Sequence, residues 1–303
     1  MEYVLQLENI TKAYRHHLAV DKVSFQVPKQ SIFGLLGPNG AGKTSLIRII
    51  TTITRADSGT VILNGQALNS KHPTQIGYMP EERGLYKKMK VGDHLLYLAQ
   101  LKGLSKTDAK QRINGWLEKF NIEDWWNKKI EELSKGMQQK IQFISTVVHR
   151  PQLLILDEPF SGLDPINTNI IKEEIELLRQ EGTSIIFSTH RMEQVEEICE
   201  HIVLINQGQN ILEGRVQDVR EQFKENQFEV RFGGVLSDHL RSQLHILSEK
   251  PNVLTLQADS YTDPNQLLQQ LMQGGLSILG FREILPTLNQ IFIQQVEHQT
   301  PVV

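Results

Sequence analysis

Residues Gly37-Pro38-Asn39-Gly40-Ala41-Gly42-Lys43-Thr44 keep the spacing G-x-x-x-x-G-K-[ST] and follow an apolar run, Ile32-Phe33-Gly34-Leu35-Leu36. That spacing serves phosphate binding. The glycines let the backbone curl until successive N–H groups point inward at anionic oxygens, and a helix beginning near Lys43 adds the positive end of its dipole. On this reading Lys43 reaches the β- and γ-phosphates of a nucleoside triphosphate and Thr44 ligates Mg²⁺, with Gly37 through Ser45 forming the cradle.

Downstream, Asp157-Glu158 follows the apolar stretch Leu153-Leu154-Ile155-Leu156, which puts two carboxylates at the carboxyl end of a strand, where open α/β sheets bind ligands. Alone, such a pair reads equally well as a helix cap. Behind a phosphate loop it reads as a site, Asp157 beside Mg²⁺ and Glu158 beside an attacking water, because phosphoryl transfer to water asks mainly for positioning and charge neutralisation. Ser161-Gly162-Leu163-Asp164-Pro165 makes a tight turn just beyond, and His190 ends the strand Ser184 to Ser188. A single histidine is usually structural. This one shares a sheet edge with Lys43 and Asp157, so it can contact the γ-phosphate and hold Glu158 or the water in place.

The elements that carry these residues alternate between buried-type strands and helical patterns up to about residue 215, which predicts a mainly parallel sheet flanked by helices. Ile166 to Gln180 reads as an amphipathic helix through Ile166, Ile170, Ile171, Ile175, Leu177 and Leu178, with Glu173, Glu174 and Glu176 as a solvated face. Residues from about 90 to 150 read as helical throughout, an inserted helical subdomain. After about residue 216 the pattern changes to short strands, Phe228 to Phe232 and Val253 to Gln257, then a helix through Leu267, Leu268, Leu271 and Met272 stopped by Gly274-Gly275. A strand near Leu276 to Ile284 and a final helix from Pro286 to Val296 complete a small α+β unit. The expected domains are therefore 1–216 and 217–303.

Composition sets limits. A chain of 303 residues holds one large and one small core, and a net charge of −3 gives no bulk attraction for nucleic acid or an anionic membrane. The tail carries six basic against ten acidic residues, so it is not a nucleic-acid tail either. Cys199 is the only cysteine, which rules out a disulfide framework and suits a reducing cytosol. The N-terminus opens directly into strand-like alternation without signal-peptide regions, and no apolar stretch reaches about 18 residues, so the chain is not expected to cross a membrane by itself.

The order of motifs resembles the ATP-binding cassette (ABC) transporter ATPase subunits over about residues 1 to 215. The match consists of the phosphate loop, the stretch Ile76-Gly77-Tyr78-Met79-Pro80-Glu81, the signature-like Leu133-Ser134-Lys135-Gly136-Met137, the Leu153 to Glu158 strand, the Ser161 to Asp164 turn and His190. Tyr14 matches the family's adenine-stacking aromatic, although alone it reads equally as a half-buried strand residue. The resemblance implies a P-loop NTPase fold: a RecA-like core with antiparallel β and helical subdomains, followed here by the α+β domain. It further implies that two copies, or this chain and a homologous subunit, sandwich two Mg-ATP molecules head to tail. The pair would sit peripherally on the cytoplasmic face of the membrane and power an integral-membrane permease. Each site is then half present in one chain, with Ser134, Lys135, Gly136 and the turn residue Asp164 belonging to the nucleotide-binding set. Ser134 reads as a helix N-cap, and the N–H groups after it form an anion-seeking helix start.

Two departures from the family pattern stand out. Lys135 and Met137 replace the middle glycine and the glutamine of L-S-G-G-Q, and Lys135 either adds attraction for phosphate or points to solvent. The family's linker glutamine aligns with Glu81, which can bind Mg²⁺ or orient water while adding charge that Mg²⁺ or Arg83 must offset. The segment Glu81 to Leu101 implies a permease contact, with Tyr86, Tyr97 and Lys87-Lys88-Met89-Lys90 as candidates; read plainly, the cluster is a basic surface loop. Trp125-Trp126 reads as subdomain core, the favoured reading, or as part of that contact surface. Pro80 to Tyr86 and the ending Leu285 to Phe292 resemble the sodium- or drug-export branch. Readings of other classes are a mechanical ATPase acting on ribosomes or DNA and a weakly hydrolysing regulatory protein. The first is disfavoured because there is no second phosphate loop and only about ninety residues, without heptads, separate Lys43 from Ser134.

Overall fold

The computed structural model describes residues 2–82, 84–259 and 263–299, with side chains to 296; Arg83 lies outside the described residues. The N-terminal alternation becomes a long antiparallel hairpin, β1 (Tyr3–Tyr14) with β2 (His17–Pro28), whose last pair is Tyr14 with His17. Leu5 and Leu7 are buried and Gln6 between them is only half-buried, the mark of a sheet with one face inward. β3 (Ile32–Leu36) leads into α1 (Lys43–Ile50), and β4 (Ser58–Leu63) and β5 (Gln66–Ala67) complete the antiparallel sheet in the order β2-β1-β4-β5.

β6 (Ile76–Met79) precedes the helical segment α2 (Val91–Leu101), α3 (Lys106–Lys119) and α4 (Lys135–Val147). The chain then alternates β7 (Leu153–Asp157), α5 (Pro165–Gln180), β8 (Ser184–Thr189), α6 (Met192–Ile198), β9 (His201–Asn206) and β10 (Gln209–Arg215). The central sheet runs β10-β9-β3-β8-β7-β6, parallel except for β10. Every residue of β3, β7 and β8 is buried, as strands covered on both faces must be.

The structure corrects several expectations. Residues 90–150 are not helical throughout: between α3 and α4 lie loops and two short 3₁₀ turns, Glu123–Trp125 and Ile130–Glu132. Trp125 and Trp126 are half-buried rather than core. A Cβ on Gly92 would stand 2.3 Å from the Trp126 ring, so glycine is what lets the indole close on α2. On α5, Ile166 and Leu177 are exposed, whereas Glu174 is buried and paired with Lys119 of α3 at 2.6 Å. One of the three carboxylates read as solvated thus ties the helical segment to the core.

Residues Met1–Val216 and Gln217–Val303 cluster as two compact units. After α7 (Val216–Gln222), the second unit runs β11 (Gln227–Gly233), α8 (Asp238–Gln243), β12 (His245–Lys250), β13 (Val253–Gln257), α9 (Pro264–Gln273), β14 (Ser277–Ile284) and α10 (Leu288–Gln299). The order β12-β13-β11-β14 is that of a split β-α-β-β-α-β motif. α8 and β12 escape the sequence reading because they are short and β12 is largely exposed, which leaves little apolar periodicity. The last helix begins at Leu288 and not at Pro286.

Two predictions follow from this packing. Gly92→Ala must push Trp126 aside and should cost about 1–3 kcal/mol, read as a lower chemical-denaturation midpoint. Burial lowers His94 and His149 to about 4, and both ring nitrogens of His94 lack a hydrogen-bond partner. Between the ordinary value near 6.5 and 4 the unfolded chain therefore binds protons that the folded one excludes, so stability is full above 6.5 and falls as pH drops through that window. The loss approaches ~3 kcal/mol per imidazole across the whole window. Thermal melts at pH 7 and pH 5 should show the fall, and His94→Leu should make it shallower.

Candidate functional site

The carboxyl ends of β3, β6, β7 and β8 meet along one edge of the central sheet, and each leads into sequence-predicted site residues. From β3 comes the loop Gly37 to Gly42, with φ of 147° at Gly37 and 111° at Gly42. Main chain crowds both: a Cβ would stand 2.1 Å from the Ile205 carbonyl oxygen at Gly37 and 2.4 Å from that of Ala19 at Gly42. Gly42 is also the N-cap of α1 and supplies no side chain, so the first N–H groups of the helix are not capped by a side chain. Lys43 Nζ donates to the carbonyl oxygens of Gly37 (2.6 Å) and Pro38 (3.0 Å), closing the loop on itself. Burial lowers the Lys43 ammonium below its ordinary range, and Asp157, Glu158 and Glu81 oppose that shift.

β7 ends in Asp157, and parallel pairing sets it beside Ser188, whose hydroxyl donates to Asp157 Oδ1 at 2.8 Å. Burial raises the Asp157 carboxyl, and the Ser188 hydrogen bond opposes it while the neighbouring Glu158 and Glu81 add to it. Glu158 turns out of the strand at φ 49°, a left-handed conformation uncommon for a residue with a long side chain. Its carboxylate is held from β8: Oε1 accepts from the His190 N–H at 2.9 Å and lies 2.6 Å from His190 Nδ1, and Oε2 accepts from the Thr189 hydroxyl at 3.0 Å.

A cleft of about 250 Å³ joins these groups, lined by Asn39 through Ser45, Glu81, Asp157 and Glu158, and at its far end by Tyr14, His17 and Ala19. Lys12 Nζ sits 5.5 Å from the centre of the Tyr14 ring and pairs with Asp57. Sequence reasoning missed His17, Ser188 and Thr189. The first follows from the hairpin pairing of Tyr14 with His17, and the other two are hydroxyls that follow the apolar run Ile185-Ile186-Phe187 of β8.

Ser134, Lys135, Gly136 and Asp164 lie outside this cleft. Ser134 caps α4 by accepting from the Met137 N–H at 3.3 Å, and Lys135 is exposed. Asp164 caps α5, accepting from the Asn167 N–H at 2.9 Å, and Gly136 faces Leu163 of the same turn. Farther along α4, Gln139 Nε2 donates to the Pro159 carbonyl (2.9 Å) and Gln142 Nε2 to that of Pro80 (2.7 Å). Among the described residues no group of three or more His, Cys, Asp or Glu could hold a metal unaided. The donor set of Thr44 and Asp157 instead fits Mg²⁺, which takes one or two protein ligands and completes its shell with phosphate oxygens and water.

Comparison with known proteins agrees with this geometry. Residues 20–161 match the family described as ABC transporter, and residues 214–296 match the ATP-binding protein DrrA1-3-like C-terminal domain. The chain is 44% identical to the uncharacterized ABC transporter ATP-binding protein YhaQ of Bacillus subtilis, over 97% of this chain and 98% of that one. It is 32% identical to the linearmycin resistance ATP-binding protein LnrL of the same organism, over 96% and 97%. Identity to the Nod factor export ATP-binding protein I of Cupriavidus metallidurans is 33%, over 72% of this chain and 73% of that one. A solved ATP-binding subunit of an ABC transporter superimposes with a TM-score of 0.68 at 30% identity, over 73% of this chain and 93% of that one. With a P-loop NTPase core and these relatives, the chain belongs to the ATP-binding subunits of ABC transporters.

Proposed function

We propose that the chain binds Mg-ATP in the cleft between Tyr14 and Glu158, hydrolyses it, and uses the cycle to drive a separate integral-membrane permease in the export direction. The observation that carries this reading is the convergence of Lys43, Asp157, Glu158 and His190 at one sheet edge around the Gly37 to Thr44 loop. Adenine stacks on Tyr14, and Gly37 through Ser45 hold the phosphates, with Lys43 exchanging loop carbonyls for phosphate oxygens. Thr44 and Asp157, with Glu81 nearby, hold Mg²⁺, which neutralises phosphate charge when bound.

Glu158 orients the attacking water and takes its proton. The water oxygen bonds to the γ-phosphorus, the bond from that phosphorus to the β,γ-bridging oxygen breaks, and ADP leaves with the electron pair. His190 steadies Glu158 from the side.

Ser134, Lys135, Gly136 and Asp164 complete the site of a second copy, or of a homologous subunit. Their place outside this chain's own cleft, with Ser134 capping a helix that starts at the surface, supports that role. ATP thus holds the pair together and hydrolysis loosens it. Export rests on relatives named for linearmycin resistance and Nod factor export. No helix among the described residues is long and apolar enough to cross a membrane; the place we propose, peripheral at the cytoplasmic face, is that of the family's ATP-binding subunits. Residues 217–303 form an accessory domain that supports dimerisation or regulation, and no nucleic acid takes part.

Glu158→Gln should lower Mg-ATP hydrolysis at least a hundredfold while keeping nucleotide affinity. The variant should also accumulate as an ATP-bound dimer by light scattering, and equal rates for variant and wild type would remove Glu158 from its role. Lys43→Ala should weaken ATP binding by tenfold or more in calorimetry, with the native circular-dichroism spectrum retained in the absence of nucleotide.

A further inference from the structure

Two adjacent hydroxyls at the end of β8 each take one of the two adjacent carboxylates at the end of β7. Ser188 donates to Asp157, and Thr189, one residue on and facing the opposite way along the strand, donates to Glu158. Both hydroxyl-bearing residues are 0% exposed, so water does not compete for either bond.

We propose that Thr189 is a positioning residue for ATP hydrolysis, fixing the Glu158 carboxylate in the rotation from which it can receive a proton from the attacking water. This rests on the role of Glu158 proposed above. A threonine hydroxyl carries one proton and two acceptor positions. Here one acceptor position is filled by the Arg191 N–H at 3.0 Å, which leaves the proton directed at Glu158 Oε2. The β-branched side chain allows few χ1 rotamers in a strand, so the hydroxyl is held before the carboxylate arrives.

Glu158 needs such help. It leaves β7 through a left-handed backbone conformation; among the described residues only Thr189 donates to Oε2, and Oε1 is held by His190, whose side chain is 49% exposed. The two holds differ in kind. His190 is a solvent-exposed, ionisable group, whereas Thr189 is buried, neutral and restricted in χ1. A neutral donor orients the carboxylate without supplying a charge that would pair off its basicity. His190 alone constrains one oxygen, and the plane of the carboxylate can then rotate about that contact; the Thr189 bond removes this rotation.

The test compares Thr189→Val, which keeps the shape and removes the hydroxyl, with Thr189→Ser, which keeps the hydroxyl, in the purified full-length chain. Expected for valine is a tenfold to hundredfold loss of kcat with KM for Mg-ATP, and affinity for a fluorescent ATP analogue, within twofold of wild type. Serine should restore kcat to within about threefold, because the donor is returned. Should the valine variant not fold, Thr189→Ala against Thr189→Ser gives the same comparison, since the two differ by the hydroxyl alone. A hydroxyl-free variant that keeps wild-type kcat while Glu158→Gln is inactive overturns the role of Thr189 and leaves that of Glu158 standing. Serine failing as badly as valine or alanine, with both folded, also overturns it. Equal hydrolysis by wild type and Glu158→Gln overturns both.

Discussion

Parallel pairing of β7 with β8 is the constraint on which the site depends. The register places Asp157 opposite Ser188, and the Glu158 N–H donates to the Ser188 carbonyl at 2.9 Å, so the carboxylate pair on one strand meets the hydroxyl pair on the next. Side chains alternate between faces along a strand, so a slip of one residue would turn each hydroxyl away from its carboxylate. The slip is opposed by packing rather than by the site. Leu154, Ile155, Leu156, Ile185, Ile186 and Phe187 are all 0% exposed, and any displacement would drive them out of a closely packed interior. The chemistry at the edge is therefore aligned by apolar residues behind it that never touch a ligand.

Among the described residues, those lining the cleft at this edge carry more negative than positive charge. Glu81, Asp157 and Glu158 line a cleft containing the single ammonium of Lys43, and the raised Asp157 carboxyl and lowered Lys43 ammonium both reflect burial there. A ligand that complements such a cleft must bring a cation to the carboxylates and anionic oxygens to the lysine and the helix start. A metal-bound polyphosphate does both. Glu81 standing where the family has glutamine sharpens this requirement, because a third carboxylate raises the demand for a cation and opposes the phosphate until that cation is bound.

What could be read from residue order was whatever a local pattern encodes. The phosphate loop, the strand before Asp157 and the Ser134 cap are short-range signals, and each appears in the structure at its place in the chain. The misreadings involve tertiary context. Glu174 sits on α5 among residues whose spacing suggests a solvated face, and only the arrival of Lys119 from α3 makes its burial tolerable. His17 reaches the cleft because a two-residue turn folds it back beside Tyr14. The Glu158 hydrogen bonds join residues about thirty positions apart, and nothing in either segment alone specifies the partner. Ser188 and Thr189 were the exception, since polar residues ending an apolar strand beside two carboxylates are a recognisable pattern once the sheet order is known.

α4 links the surface that bears Ser134 to the interior that bears the carboxylates. Gln139 and Gln142 are three residues apart, hence on one face of the helix, and both are 3% exposed. Their amides donate to the carbonyls of Pro159 and Pro80, the residues adjoining Glu158 and Glu81. Neither proline has an N–H of its own to anchor its loop, so the carbonyl is the handle the main chain offers there. A shift at the start of α4 must therefore either carry both loops with it or break one buried and one part-buried hydrogen bond, at about 1–3 kcal/mol for each buried group left unpaired. Carrying the loops is the less costly course. The loops that bear both carboxylates are on that account tied to the position of α4.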